Sequence, residues 1–193
     1  VSRLEEYARC PFKHFMHYGL RPTVLKEWVI DPIETGNFYH DALNRFAMLA
    51  RREPAYPAVA PERVRQLADE AMEPGREEAL KGPMGDGERN LWRFHLAEDV
   101  VRRAAQVITD QLAAGSFSVY RTEASFGYEG GLPPIILSLP DGRQVTLRGR
   151  IDRIDRYDAP DAVYLRVIDY KSSQLSLEAA RTWWGLQLQL LLY

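Results

Sequence analysis

Apolar residues change their period near the middle of the chain. Up to about residue 115 they recur at intervals of three and four; beyond it they mostly alternate. Leu4, Tyr7, Ala8, Phe12 and Phe15 sketch a first helix that Pro11 kinks or breaks, opened by a capping box in Ser2-Arg3-Leu4-Glu5. A second helix is predicted over residues 36–50, where Phe38, Leu43, Phe46, Ala47 and Ala50 form the stripe and His40 lies near its edge. After a Pro-rich connection over 54–61, residues 62–80 and 90–114 read as two further helices, parted by the Gly/Pro-containing stretch 82–87.

Strands are predicted over 119–128, 135–139, 144–157 and 163–171. Pro140-Asp141-Gly142 marks a hairpin between the second and third of these. Ser172, Ser173 and Ser176 offer turn and N-cap chemistry for a helix running to the terminus. The expectation is an α/β (α+β) fold: one domain over 1–193, mainly helical over 1–115, with sheet and C-terminal helix over 116–193. No internal repeat or low-complexity tract interrupts it.

With 193 residues and 46% hydrophobic content, the chain can bury one ordinary core. Its formal net charge of -2 carries no global basic signature, so any contact with nucleic acid must be local. No apolar stretch is long enough to span a bilayer and no leader precedes the first helix, so a soluble, cytoplasmic protein is expected. One cysteine excludes an internal disulfide. The start at Val1 and the stop inside a helical pattern at Tyr193 suggest a piece of a longer polypeptide.

The chemistry concentrates in Gly149-Arg150-Ile151-Asp152-Arg153-Ile154-Asp155 and Ile168-Asp169-Tyr170-Lys171, which place two carboxylates and a lysine on predicted neighbouring strands. Carboxylate oxygens hold a hard divalent cation, and a nearby ammonium can orient water or meet developing charge. Val145, Leu147 and Ile151 set Asp152 on the polar face, and the phase breaks at Ile154, as a bulge near Asp152 would explain. A solvated aspartate among arginines fits the same pattern. Asp169 extends the stripe of Val163, Leu165 and Val167, with Lys171 on the same face; a plain ion pair at a strand end is the simpler reading of that strand alone. His40 taken singly is a core or surface histidine, and Gln189 and Tyr193, four apart, are polar neighbours of a leucine stripe. Glu123 is a further acid on a strand, with the weakest independent case.

Together these residues resemble the RecB-type nuclease domains of the PD-(D/E)XK superfamily, among them those of AddB-type helicase–nuclease subunits. The resemblance rests on residues 4–15, the Gly36 to His40 helix, Gly149-Arg150-Ile151-Asp152, Asp169-Tyr170-Lys171 and the stretch from Gly185 to Tyr193, in the family's order across nearly the whole chain. It implies a restriction-endonuclease-like core, a mixed sheet flanked by helices, whose final strand would lie past Tyr193. It implies Mg²⁺ or Mn²⁺ held by His40, Asp152, Asp169 and the carbonyl of Tyr170, with Lys171 as the catalytic lysine. Gln189 and Tyr193 would match a Gln-x-x-x-Tyr signature that supports the site and contacts DNA, and Glu123 an upstream acidic motif. The implied activity is a metal-dependent deoxyribonuclease, an exonuclease acting on single-stranded DNA fed by a helicase partner of AddA type during double-strand-break repair. A catalytically silent DNA-binding scaffold and a CRISPR-associated exonuclease are the alternatives. Cys10 resembles the first ligand of a 4Fe-4S cluster found in some relatives; one thiolate cannot hold such a cluster, so none is expected in this chain, and a small buried hydrophobe is the commoner fate of a lone cysteine.

Overall fold

Pro11 divides the first helical stretch as its missing N–H requires. In the computed structural model, which describes residues 2–22, 32–171, 176 and 178–189, helix α1 (Ser2–Arg9) gives way to α2 (Pro11–Phe15) and then to a π-helical turn (Met16–Leu20). Cys10 between them is extended, the conformation a residue before proline favours, and its Sγ accepts the Lys13 N–H at 3.4 Å. The half-buried thiol thus serves as a helix N-cap.

Contacts gather the chain into two compact units. One draws on Val1–Lys26, Ala124–Ile151 and Ser173–Tyr193. Its antiparallel hairpin joins β2 (Ile135–Ser138) to β3 (Gln144–Leu147), register Ile135 to Leu147, and the predicted Pro140-Asp141-Gly142 turn closes it with Gly142 at φ 84°. The stripe read from Leu4 to Phe15 is not a buried face: Tyr7, Phe12 and Phe15 are exposed. Glu5, expected to complete a capping box, sends its Oε1 instead to the N–H groups of Leu188 (2.6 Å) and Gln189 (3.2 Å). The predicted C-terminal helix is interrupted: helical backbone resumes at Gln189, and its continuation over 190–193 lies outside the described residues. Helix α6 (Ala179–Trp183) stops ahead of Gly185, whose φ of 73° no helix accommodates.

The other unit draws on Glu27–Glu123 and Asp152–Ser172. Helices α3 (Pro32–Arg52), α4 (Pro61–Lys81) and α5 (Glu88–Ala113) close on one apolar core that includes Phe38, Phe46, Val64, Met72, Phe94 and Val101. The predicted helices match these bounds to within four residues because three- and four-residue spacing is what puts such side chains on one stripe. Strands β1 (Ser118–Phe126), β4 (Gly149–Asp158) and β5 (Val163–Ile168) form a three-stranded sheet in the order β1-β4-β5. β4 and β5 pair antiparallel without interruption from Arg153–Ile168 to Asp158–Val163.

Three expectations for the strands change. The single strand over 144–157 is two strands in different sheets, divided at Arg148. The phase break at Ile154 needs no bulge to explain it: residues 151–155 are all buried, so both faces of β4 are covered and alternation loses its meaning. Val163 and Leu165 are exposed and therefore do not form a buried stripe leading to Asp169, which lies just past the end of β5.

Candidate metal centre

Four segments of the second unit deliver the candidate residues. Helix α3 presents His40, β1 presents Glu123, β4 presents Asp152, and the chain leaving β5 presents Asp169, Tyr170 and Lys171. His40, Glu123 and Asp152 each offer a ligand atom, and these three atoms lie within 4.8 Å of one another. Donors on opposite sides of one Mg²⁺, at about 2.1 Å each, are about 4.2 Å apart, so the observed spread is close to what a shared cation needs. An imidazole with carboxylates is also a donor set suited to Mn²⁺. The residues therefore fit a divalent metal on geometry and chemistry.

Asp152 is the hub. Its Oδ2 lies 3.3 Å from His40 Nδ1 and accepts the backbone N–H of Tyr170 at 2.6 Å. It is buried, not the solvated strand residue that alternation suggested. Burial is the largest single influence on this carboxyl and pushes its pKa up. Hydrogen bonds from His40 and Tyr170, with the charges of His40 and Lys171, together outweigh burial and hold the pKa below the usual range. His40 shifts the other way. The hydrogen bond to Asp152 raises its pKa first of all; partial burial opposes this, and the charges of Asp152, Glu123 and Asp169 add to the rise. Such surplus negative potential is what a cation would neutralise.

Asp169 and Lys171 stand beside this group as a pair, Oδ2 to Nζ 2.5 Å. The carboxylate is nearly covered, whereas the lysine side chain keeps 41% of its surface exposed. His40 is a third exposed. The centre thus has the buried Asp152 at its hub, with the more exposed Lys171 and His40 side chains facing solvent.

Glu123, the weakest candidate by sequence, is placed with His40 and Asp152 by an unusual backbone: its φ is 49°, in the left-handed region a strand residue rarely enters. No sequence pattern reports such a turn of the backbone. Behind the centre stands a set of residues that sequence reasoning left without a role. Asp152 and Asp155 are three apart on β4 and so face opposite sides of the sheet. On the Asp155 side, Arg153 and Asp155 are almost completely buried; Arg153 Nε lies 3.0 Å and Arg166 Nη2 2.8 Å from the two Asp155 oxygens. Arg153 also donates from Nη1 to the Tyr170 hydroxyl at 2.9 Å. Tyr170, packed against the helical core, therefore anchors its ring through Arg153 while its N–H holds Asp152. The signal that was available is the tandem Arg-Ile-Asp in residues 150–155, one copy facing the centre and one the buried ion cluster.

Gln189 lies in the first unit, its backbone N–H on Glu5. Tyr193 lies outside the described residues. Cys10 is the helix cap described above.

A model of the PD-(D/E)XK nuclease superfamily matches residues 1–193. The chain is 34% identical over 195 residues to a protein of Alkaliphilus metalliredigens, 35% over 201 residues to one of Clostridioides difficile and 34% over 194 residues to one of Exiguobacterium sibiricum. Each of these is named as a subunit of an ATP-dependent helicase/deoxyribonuclease, and each match covers 100% of this chain. The chain spans 17% of the length of these curated relatives. The α/β architecture, helices with antiparallel strand pairs, agrees with the restriction-endonuclease-like fold of the superfamily. No helix among the described residues is long and apolar enough to cross a membrane.

Proposed function

Because the chain belongs to the PD-(D/E)XK nuclease superfamily, we propose that it is a metal-dependent deoxyribonuclease that hydrolyses DNA phosphodiester bonds. The observation that carries this is the gathering of His40, Glu123 and Asp152 around one point, with the Asp169–Lys171 pair alongside. His40, Asp152 and Asp169 would hold Mg²⁺ or Mn²⁺, with Glu123 as a fourth donor and the Tyr170 carbonyl as a further oxygen. When bound, the cation supplies Lewis acidity toward a phosphate oxygen and lowers the pKa of water.

The chain's own groups account for the rest. Asp152 is fixed by His40 and the Tyr170 N–H, so its carboxylate is oriented before substrate arrives. Lys171, tethered to Asp169 yet partly exposed, can place its ammonium against a non-bridging phosphate oxygen and meet the charge that develops there as a water attacks phosphorus. Gln189 and Tyr193 are assigned to DNA contact by the family signature. The proposed substrate is single-stranded DNA, degraded exonucleolytically and delivered by a helicase partner of AddA type in double-strand-break repair; the relatives' name, which joins helicase to deoxyribonuclease, supports the link to a helicase.

The test is direct. End-labelled single-stranded DNA with Mg²⁺ or Mn²⁺ should be shortened by the protein, spared when EDTA is added, and spared by Asp169→Ala. Cleavage that survives both chelation and Asp169→Ala would sink the proposal.

A further inference from the structure

A groove of about 680 Å³ in the first unit runs between α1–α2 and the β2–β3 hairpin. Tyr7, His14 and Arg3 line one wall, and Tyr128 and Arg148 the other. Its walls combine rings and cations. Tyr7 and His14 meet edge to face at 5.5 Å, and His14 continues to Tyr18 at 5.0 Å. The Arg3 guanidinium lies 4.5 Å over the Tyr18 ring and that of Arg148 6.0 Å from the Tyr128 ring. Tyr7 and Tyr128 nonetheless leave 56% and 55% of their surface open, so these rings are not consumed by packing. Neither Arg3 nor Arg148 has a carboxylate partner among the described residues, and no described acid lines the groove. The backbone makes room for this wall: at Gly127, φ 74°, an added Cβ would come within 2.7 Å of the Arg148 stem.

We infer that this groove seats unpaired nucleotides, with bases stacked on Tyr7 and Tyr128 and phosphates paired to Arg3 and Arg148. Aromatic faces interleaved with guanidinium groups are how single strands are bound without sequence preference, because every base has a face to stack and every linkage a charge. A volume of this size takes a nucleotide or two. In a chain whose formal net charge is -2, a carboxylate-free groove of this kind is also the local basic surface that contact with DNA demands. The inference rests on the DNA substrate proposed above and adds to it the residues that bind the strand.

Fluorescence anisotropy of a labelled oligothymidylate of roughly ten nucleotides, with EDTA present so that nothing is cleaved, reads binding apart from cleavage, and the groove variants read the groove's share of it. Arg3→Ala combined with Arg148→Ala should weaken binding roughly tenfold and flatten its salt dependence by about 0.7 for each phosphate no longer neutralised. Tyr128→Ala should weaken it by a similar factor, roughly tenfold for one stacked base, whereas Tyr128→Phe keeps the ring and the affinity. A blocked duplex of equal length should bind less tightly than the single strand. Undiminished binding in both alanine variants, or Tyr128→Phe as weak as Tyr128→Ala, would overturn the inference, as would tighter binding of the duplex. Nuclease assays of the same proteins separate the two readings: groove variants that bind poorly while the unaltered chain never cleaves leave the groove standing and remove the nuclease proposal. Normal cleavage with normal binding in every variant does the reverse.

Discussion

The helical core and the buried stretch of β4 are built on different terms. Helices α3, α4 and α5 close over Phe46, Val64, Met72 and Phe94, side chains that need only volume and shape. Strand β4 fills five consecutive buried positions with Ile151, Asp152, Arg153, Ile154 and Asp155, of which three are charged. A buried apolar cluster tolerates exchange of one hydrocarbon for another, because the transfer free energy is spread over many weak contacts. A buried ion cluster does not tolerate loss of one member, because the partner left behind bears the whole desolvation cost. The difference explains where chemistry can be placed. The charged interior holds a carboxylate in one orientation and at a shifted pKa, and Asp152 is that carboxylate.

The largest effect should come from the centre itself. Asp152→Ala removes the hub, and Lys171→Ala the cation; metal-dependent turnover should fall by roughly 10²–10³ for Lys171→Ala and by at least as much for Asp152→Ala. Single-turnover assays at saturating metal measure both. Retained turnover in either variant would detach catalysis from the charged interior.

Stability comes next. Arg153→Met should cost about 3–5 kcal/mol, since it takes from the buried Asp155 one of its two guanidinium partners, whereas the volume-conserving Met72→Leu in the helical core should cost less than about 1.5 kcal/mol. Urea unfolding of the two variants makes the comparison directly, and replacing Asp155 as well, in Arg153→Met/Asp155→Leu, should recover much of the loss. Equal costs in the two interiors would break the distinction drawn above.

A subtler change probes the link between them. Tyr170→Phe keeps the ring and the backbone N–H but deprives Arg153 of an acceptor; metal affinity should weaken by roughly tenfold as the residue whose N–H holds Asp152 loses its anchor. Mn²⁺ titration of this variant beside the unaltered protein reads the effect without an activity assay. Affinity equal to that of the unaltered protein would mean that the hydroxyl has no part in orienting Asp152.

The smallest effect concerns pH. Asp152 raises the pKa of His40 above its usual 6.5, so the pair's contribution is fully present below that value and is lost as pH rises through the raised one. The Asp152 carboxyl is held below 3.8, so its contribution is present above that value and is lost as pH falls through the lowered one. Metal-free protein should therefore gain most from the pair in mildly acidic solution, weakly, because His40 is a third exposed and screened by solvent. An NMR titration should place the His40 midpoint above 6.5, and Asp152→Asn should bring it down.

The helical half was legible in the sequence because packing against one core imposes a period that residues such as Phe38, Leu43 and Phe46 display. The hairpin was legible because Gly142 supplies the positive φ its turn requires. What the pattern could not reveal was which strand pairs with which: residues 144–157 read as one strand, yet β3 and β4 part at Arg148 into two sheets. Two-sided burial hid β4 in the same way, since Asp152 and Arg153 look like surface residues until both faces are covered. The motif spacing singled out His40, Asp152, Asp169 and Lys171; of these, His40 and Asp152 share one cluster with Glu123, and Asp169 is paired with Lys171. The nearness of Glu123 depended on a backbone angle that its side chain does not advertise.

Calorimetric titration of Mn²⁺ into the metal-free protein addresses the central claim, that these acids and one imidazole share a cation. The account predicts saturable binding that is lost in Asp152→Asn and weakened in His40→Ala and Glu123→Gln. Absence of binding to the unaltered protein, or binding that Asp152→Asn leaves unchanged, would contradict it.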